Sequence, residues 1–395
     1  MVQPDELYAS PNRLALHYTA FRVSERLLLT GHSHQAWPDC AREGQLQAWS
    51  DAAELVDEKW ERAFAVADRV RSGFAALLDD RPGSFALASS THDLLIRFLS
   101  ALPLRARPRL VTTDGEFHTI RRQLDRLGEE GVEVVKLPAE PADTAAERLA
   151  AEVDDRTAAV LVSAVFFHSG ERVPGLGALA TACARHGSEL LVDAYHALGV
   201  VPFTLAGEGL ERAFVTGGGY KYLQLGEGNC FLRIPPNREF RPVVTGWYSE
   251  FTALAAARPR AVEYGPGPAR FAGSTYDPTS HYRAAAVFDF FDREGLTPAF
   301  LREVSQHQVG RLIERFDALD LDPGVIRRDR TVPLDRLGGF LALHAPRAGD
   351  LAAALRARGV LTDFRGEVLR LGPAPYLADA QLDQAMAVLG EVARG

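Results

Sequence analysis

Strand-like apolar runs alternate with helical periodicity along most of the chain. That alternation predicts an α/β architecture with a largely parallel sheet. Ser84–Ser89 reads as a short apolar strand, and Thr91–Leu102 as the helix after it. The strand Arg109–Thr113 leads into an amphipathic helix, His118–Leu127, and Val132–Leu137 is the next strand. Ala158–Phe166 is continuously apolar, as a strand buried on both faces must be. Leu176–His186 reads as a helix, with strands at Glu189–Asp193, Ala213–Thr216 and Cys230–Ile234. Pro and Gly then cluster between Arg258 and Pro268, the expected exit from a large domain. Beyond it lie helices Ser280–Glu294 and Pro298–Ala318 and a strand Gly339–His344. Leu351–Arg358, Leu369–Leu371 and Ala378–Val392 then make a helix–strand–helix ending. The organisation expected is an N-terminal segment (1–40), a large domain (41–268) and a small α+β C-terminal domain (269–395) with a linking helix from about 280. Ala41–Leu78 reads as one long helix, with packing on either domain open to it.

Charge narrows the partners. A net charge of −8 with no basic stripe argues against a nucleic-acid binder. The clusters Arg105–Arg109 and Arg327–Arg330 read as solvated loops or helix ends. The three cysteines, Cys40, Cys183 and Cys230, are far apart and suggest neither a disulfide framework nor a metal site. The N-terminus lacks the basic and apolar regions of a signal peptide, and the longest apolar run is too short to span a bilayer. A soluble, cytoplasmic enzyme is expected.

The candidate chemistry centres on Asp193 and Lys221. Asp193 ends an apolar strand, where ligands of open α/β sheets sit. Lys221 follows Gly217-Gly218-Gly219-Tyr220, a glycine-rich turn that lets the backbone take unusual dihedrals and approach a ligand closely. A lysine that forms a Schiff base with pyridoxal 5'-phosphate (PLP) needs a carboxylate on the pyridine nitrogen, and this pair can supply both. A lysine among aromatic rings and next to a cationic cofactor also loses its proton readily. The hydroxyl-rich turn Ala88–Asp93, with Ser90, Thr91 and His92, opens a helix and could cradle a phosphate; the same residues suit an ordinary helix cap. Phe117 or His118, after the next strand, could stack on a cofactor ring. Arg370, flanked by Leu369 and Leu371, suits either a clamp on a substrate carboxylate or a structural ion pair.

DAYHALG, GGGYKYLQLGEG, Gly246-Trp247 and LRARGVLTDFRGEVLRLGPAPYL together resemble kynureninase, of the class V aminotransferase group of fold-type-I PLP-dependent enzymes. The resemblance runs from about His32 to the end. It implies a mostly parallel seven-stranded sheet, a homodimer with a shared active site, PLP on Lys221, Asp193 at the ring nitrogen and His196 beside the cofactor. It further implies Tyr220 near the phosphate and in proton transfer, and Trp247 on the phosphate. Ser90, Thr91 and His92 fall in the phosphate turn. Phe117 matches the stacking ring, a place His118 takes in the cysteine desulfurase pattern. Ser274 or Thr275 would reach the neighbouring subunit's phosphate, and Arg370 would hold the substrate carboxylate. The chain departs from kynureninases at Gly31–Gln35, at Glu116–Ile120 and at Gly273–Asp277. These segments shape the substrate side, where His32 and His34 are candidate contacts. Three activities are weighed: hydrolytic Cβ–Cγ cleavage, transamination of another amino acid, and cysteine desulfuration, which needs a nucleophilic cysteine that the loop Phe364–Glu367 lacks. A catalytically silent binding protein of this fold is the fourth reading, and Lys221 argues against it.

Overall fold

Thr157–Ser163 is buried at every position and lies near the middle of a seven-stranded sheet. Both of its faces are covered, so its sequence TAAVLVS carries no alternation. The computed structural model describes residues 2–236, 238–253 and 261–395. In chain order the strands are β1 (Leu27–Leu28), β2 (Phe85–Ala88), β3 (Arg109–Thr113), β4 (Glu133–Leu137), β5 (Thr157–Ser163) and β6 (Glu189–Asp193). Then come β7 (Phe214–Gly218), β8 (Cys230–Arg233), β9 (Leu341–His344), β10 (Val360–Leu361), β11 (Asp363–Arg365) and β12 (Val368–Leu371).

The large sheet has the order β2-β8-β7-β6-β5-β3-β4. The run from β4 to β7 is parallel, and β8 is antiparallel to both of its neighbours. The parallel strands therefore end on one side. Thr113, Ser163, Asp193 and Gly218 close β3, β5, β6 and β7 there, and the segments after them build the site. Edge strand β4 carries Glu133 and Lys136 outward, charges that discourage pairing with another sheet.

Three expectations are corrected. Ala41–Leu78 is two helices, Cys40–Leu55 and Trp60–Leu78, broken at Val56, whose φ is 51°. Asp57, Glu58 and Lys59 offer no apolar side chain to bury there, and both helices pack on Thr279–Glu294. The loop Phe364–Glu367 is instead half strand and half tight turn: β11 pairs antiparallel with β12 in a hairpin that turns at Gly366 and Glu367. The glycines before Lys221 do not form a turn of unusual dihedrals. Gly217 and Gly218 lie in β7, and none of the three has a positive φ. A Cβ at Gly218 would collide with the Tyr195 ring, and one at Gly219 with Leu225, so close packing is what requires them. Arg258, Pro259 and Arg260 of the Pro/Gly-rich exit lie outside the described residues.

The N-terminal segment joins the C-terminal elements. β1 pairs parallel with β10, the Gly31 N–H donates to the Gly372 carbonyl at 2.7 Å, and Gly372 returns a bond to Leu29 at 2.8 Å. β9, β11 and β12 form a second, antiparallel sheet. No helix among the described residues is long and apolar enough to cross a membrane.

Candidate active site

Asp193 ends β6, and the chain turns at once into Ala194-Tyr195-His196; Lys221 follows three residues after β7. These adjacent strand ends bring the groups together. Lys221 is buried, and its Nζ lies 2.7 Å from His196 Nε2. Three rings surround the amine, Tyr195, Phe117 and Tyr220, with centroids at 4.7, 5.3 and 5.8 Å. Burial pushes the Lys221 pKa down to about 7, against the pull of the Asp193 charge; the Arg370 charge lowers it further. His196 is held neutral by burial and by the neighbouring cation, so its Nε2 can accept from the amine. The Asp193 carboxylate accepts the Tyr195 N–H at 2.9 Å. Its burial raises its pKa, and the Lys221 charge partly offsets that rise.

Tyr220 lies over Tyr195 at 5.0 Å and under the exposed His34 ring at 5.0 Å, nearly parallel to it. Burial lifts its phenol to about 12, so it keeps its proton at neutral pH. Of the two stacking candidates, Phe117 faces the Lys221 amine. His118 packs beside Phe117 and Phe167.

Ser90 caps the helix Thr91–Ala101, its hydroxyl accepting the Asp93 N–H at 3.2 Å. His92 is exposed at that end, and Ser90 and Thr91 are half-buried. The turn borders a cavity of about 1070 Å³, whose lining includes Ser89, Asp93, Tyr248, Ser274 and Thr275. Ser274 and Thr275 thus share this cavity with the turn of their own chain. Trp247 stays half exposed, packed on Tyr248 and Phe251.

Arg370 and His32 meet through a residue that the reading of the sequence passed over. Arg370 is buried, and its Nε and Nη2 donate to Asp363 Oδ1 and Oδ2 at 2.9 and 2.6 Å. Its Nη1 donates to the Phe167 carbonyl at 2.6 Å. His32 is fully buried with Nε2 at 2.7 Å from Asp363 Oδ1, so it supports the carboxylate rather than facing open space. Glu116 was also missed as a site residue. It is buried under hydroxyl donation from Thr113 and Ser163, both at 2.6 Å, and burial raises it to about 7. The register that pairs Ser163 with Asp193 places it one strand from the Asp193 carboxylate.

This donor set fits a carbonyl-bearing aromatic cofactor with a basic ring nitrogen. The buried carboxylate calls for a facing cation, the amine is nucleophilic near neutral pH, and the rings offer a stacking surface. Among the described residues, no cluster of His, Cys, Asp and Glu suits a metal ion.

The comparisons agree with the geometry. Residues 301–389 match the kynureninase C-terminal domain. The chain is 24% identical over 345 residues to an uncharacterized aminotransferase, YcbU, of Bacillus subtilis (strain 168), covering 86% of this chain and 88% of that protein. It is 22% identical over 350 residues to kynureninase of Bacillus mycoides (strain KBAB4), covering 85% and 78%. Among solved structures, a C-DES variant with glycine covalently linked to its PLP cofactor superposes with a TM-score of 0.83 at 15% identity, over 95% of this chain and 99% of that one. The fold is that of the fold-type-I PLP-dependent enzymes. Over most of its length the chain resembles an aminotransferase and kynureninases, and over residues 301–389 it resembles the kynureninase C-terminal domain.

Proposed function

We propose that the chain is a PLP-dependent enzyme that acts on an amino acid through Lys221 and cleaves a Cβ–Cγ bond hydrolytically, as a kynureninase does. The observation that carries this is the Lys221 amine itself, buried among three rings, bonded to a neutral histidine and relieved of its proton about half the time at neutral pH. When bound, PLP supplies an electrophilic aldehyde and a ring that takes up electrons from the substrate. Every other role falls to the chain. Asp193 holds a positive charge at the ring nitrogen, and Phe117 covers one face of the ring. Ser90, Thr91 and His92 lie where the phosphate would meet the helix N-terminus. In a homodimer, Trp247 and Ser274 or Thr275 complete that phosphate site. His196 accepts a hydrogen bond from the Lys221 amine, which fixes the direction of its lone pair. Lys221 Nζ moves the proton at the substrate Cα. Tyr220, still protonated, is the donor near it. Arg370 holds the substrate carboxylate, and His34, exposed over Tyr220, faces the substrate side chain.

Transamination of a different amino acid is the second reading, favoured by the slightly higher identity to the Bacillus subtilis aminotransferase. Desulfuration is disfavoured because β11, β12 and the turn between them hold no cysteine.

Borohydride treatment of the cofactor-loaded protein followed by peptide mapping should leave a pyridoxyl group on Lys221. Loss of the visible band without that modified peptide would refute the assignment. Incubation with L-kynurenine should release anthranilate. Its absence, with keto-acid formation from another amino acid, would replace the first reading with the second.

A further inference from the structure

Arg370 is not a free guanidinium waiting for an anion. A guanidinium carries five N–H groups. Three of them are spent inside the protein: Nε and one on Nη2 fork onto Asp363, and one on Nη1 goes to the Phe167 carbonyl. One proton remains on each of Nη1 and Nη2, the pair that an incoming carboxylate can take together. Asp363 is in turn held from three directions. Arg370 stands directly opposite it across the β11–β12 hairpin, Arg365 Nη1 lies 3.7 Å away, and His32 Nε2 lies 2.7 Å away.

His32 reaches this point because the N-terminal segment is bonded to the C-terminal strands through Gly31 and Gly372. A Cβ at Gly372 would collide with His32 Nδ1, so the approach of the imidazole requires glycine there. Burial lowers the His32 pKa to about 4. It therefore meets Asp363 as a neutral N–H donor and does not compete with Arg370 for the carboxylate's charge. The cluster also lies beside the reacting amine. The Arg370 guanidinium sits 5.8 Å from the Phe340 ring, and that ring is 5.9 Å from the imidazole bonded to Lys221.

We propose that Asp363 and His32 are positioning residues for substrate recognition: His32 holds Asp363, and Asp363 grips one edge of Arg370, so that only its two outward Nη protons meet the carboxylate of an amino-acid substrate. The inference rests on the reading of Arg370 as the carboxylate-binding group. A structural ion pair would serve folding alone. A positioning pair must also make the site distinguish a carboxylate from its neutral counterpart.

The test uses cofactor-loaded wild type, Asp363→Asn and His32→Asn. Change in the visible band is titrated with the common L-amino acids, and the tightest binder is carried forward with its own carboxamide. The wild type should prefer the acid to the amide. Asp363→Asn should lower that preference by about tenfold, the effect of disordering a charge-assisted hydrogen-bonded pair, while amide binding holds. His32→Asn should move it the same way by a smaller factor. Equal binding of acid and amide by the wild type would overturn the proposal. So would equal weakening of both ligands in Asp363→Asn, or a normal band with unchanged preference in both variants. A wild type that takes up no cofactor would overturn the PLP reading and this inference with it, whereas a normal band with unchanged preference overturns this inference alone.

Discussion

Lys221→Met should make the cofactor-free protein more stable while abolishing its chemistry. The ordinary lysine pKa is 10.5, and burial brings that of Lys221 to about 7. At pH 7 the unfolded chain holds this proton fully, and the native state holds it about half the time. The difference of roughly three pK units amounts to about 4 kcal/mol against folding. Methionine fills a similar volume without that term, but it leaves His196 Nε2 without its 2.7 Å partner. An unpaired buried acceptor costs about 1–3 kcal/mol, so the net gain expected is about 1–3 kcal/mol.

The sign with pH is fixed by the same shift. Below pH 7 both states are protonated and the penalty is full. Between about 7 and 10.5 the native state has released its proton before the unfolded chain does, so wild-type stability rises with pH. The variant lacks that rise. Urea unfolding of both proteins, freed of cofactor, from about pH 6 to about pH 9 measures the gain and the slope together. A variant that is less stable than wild type, or that keeps the wild-type pH slope, would refute the assignment of a buried, easily deprotonated amine at this position.

Glu116 carries the opposite sign. Its pKa is raised from 4.5 to about 7, so wild-type stability should fall as pH rises through that window, and Glu116→Gln should flatten the fall in the same unfolding experiment. Phe117→Ala should weaken PLP binding by about tenfold, the scale of one lost aromatic contact, whereas His118→Ala should stay within about twofold, as read by equilibrium titration of the visible band. Arg233→Ala should cost about 3–5 kcal/mol in urea unfolding, because it strands Asp80 and the Glu211 and Ala213 carbonyls, all within 2.9 Å of the buried guanidinium.

Much of the sheet was legible because burial writes itself into composition. β5 could be placed from its unbroken apolar run, and β3 and β6 from short apolar stretches that close on Thr113 and Asp193. The break at Val56 was hidden because Asp57-Glu58-Lys59 suits an exposed helix as well as a turn, and only packing on Thr279–Glu294 decides between them. β1 and β10 are two residues each and carry no period; they exist because two distant segments happen to lie side by side. The residues gathered around Lys221 were readable from their types and their places after strands. Asp363 could also have been read. Gly366-Glu367 makes a two-residue hairpin turn, with φ 55° at Gly366, and that turn alone sets residue 363 opposite residue 370. A buried arginine was noticed, and the carboxylate its hairpin had to place beside it was not.

The electrostatics of the cleft follow from which charges are paired. Arg370 and Asp363 cancel each other within hydrogen-bonding distance, and His32 adds no charge. Lys221 and Asp193 face each other without a direct bond between them, each shifted toward its neutral form by burial. The first pair is therefore built as fixed geometry, and the second retains charge that a ligand can complete. A cationic ring nitrogen would ionise Asp193, and a carbonyl carbon would take up the neutral amine. That asymmetry is why the same cluster can be costly in the empty protein and favourable in the loaded one. Both effects trace to a single cause, the desolvation of Lys221.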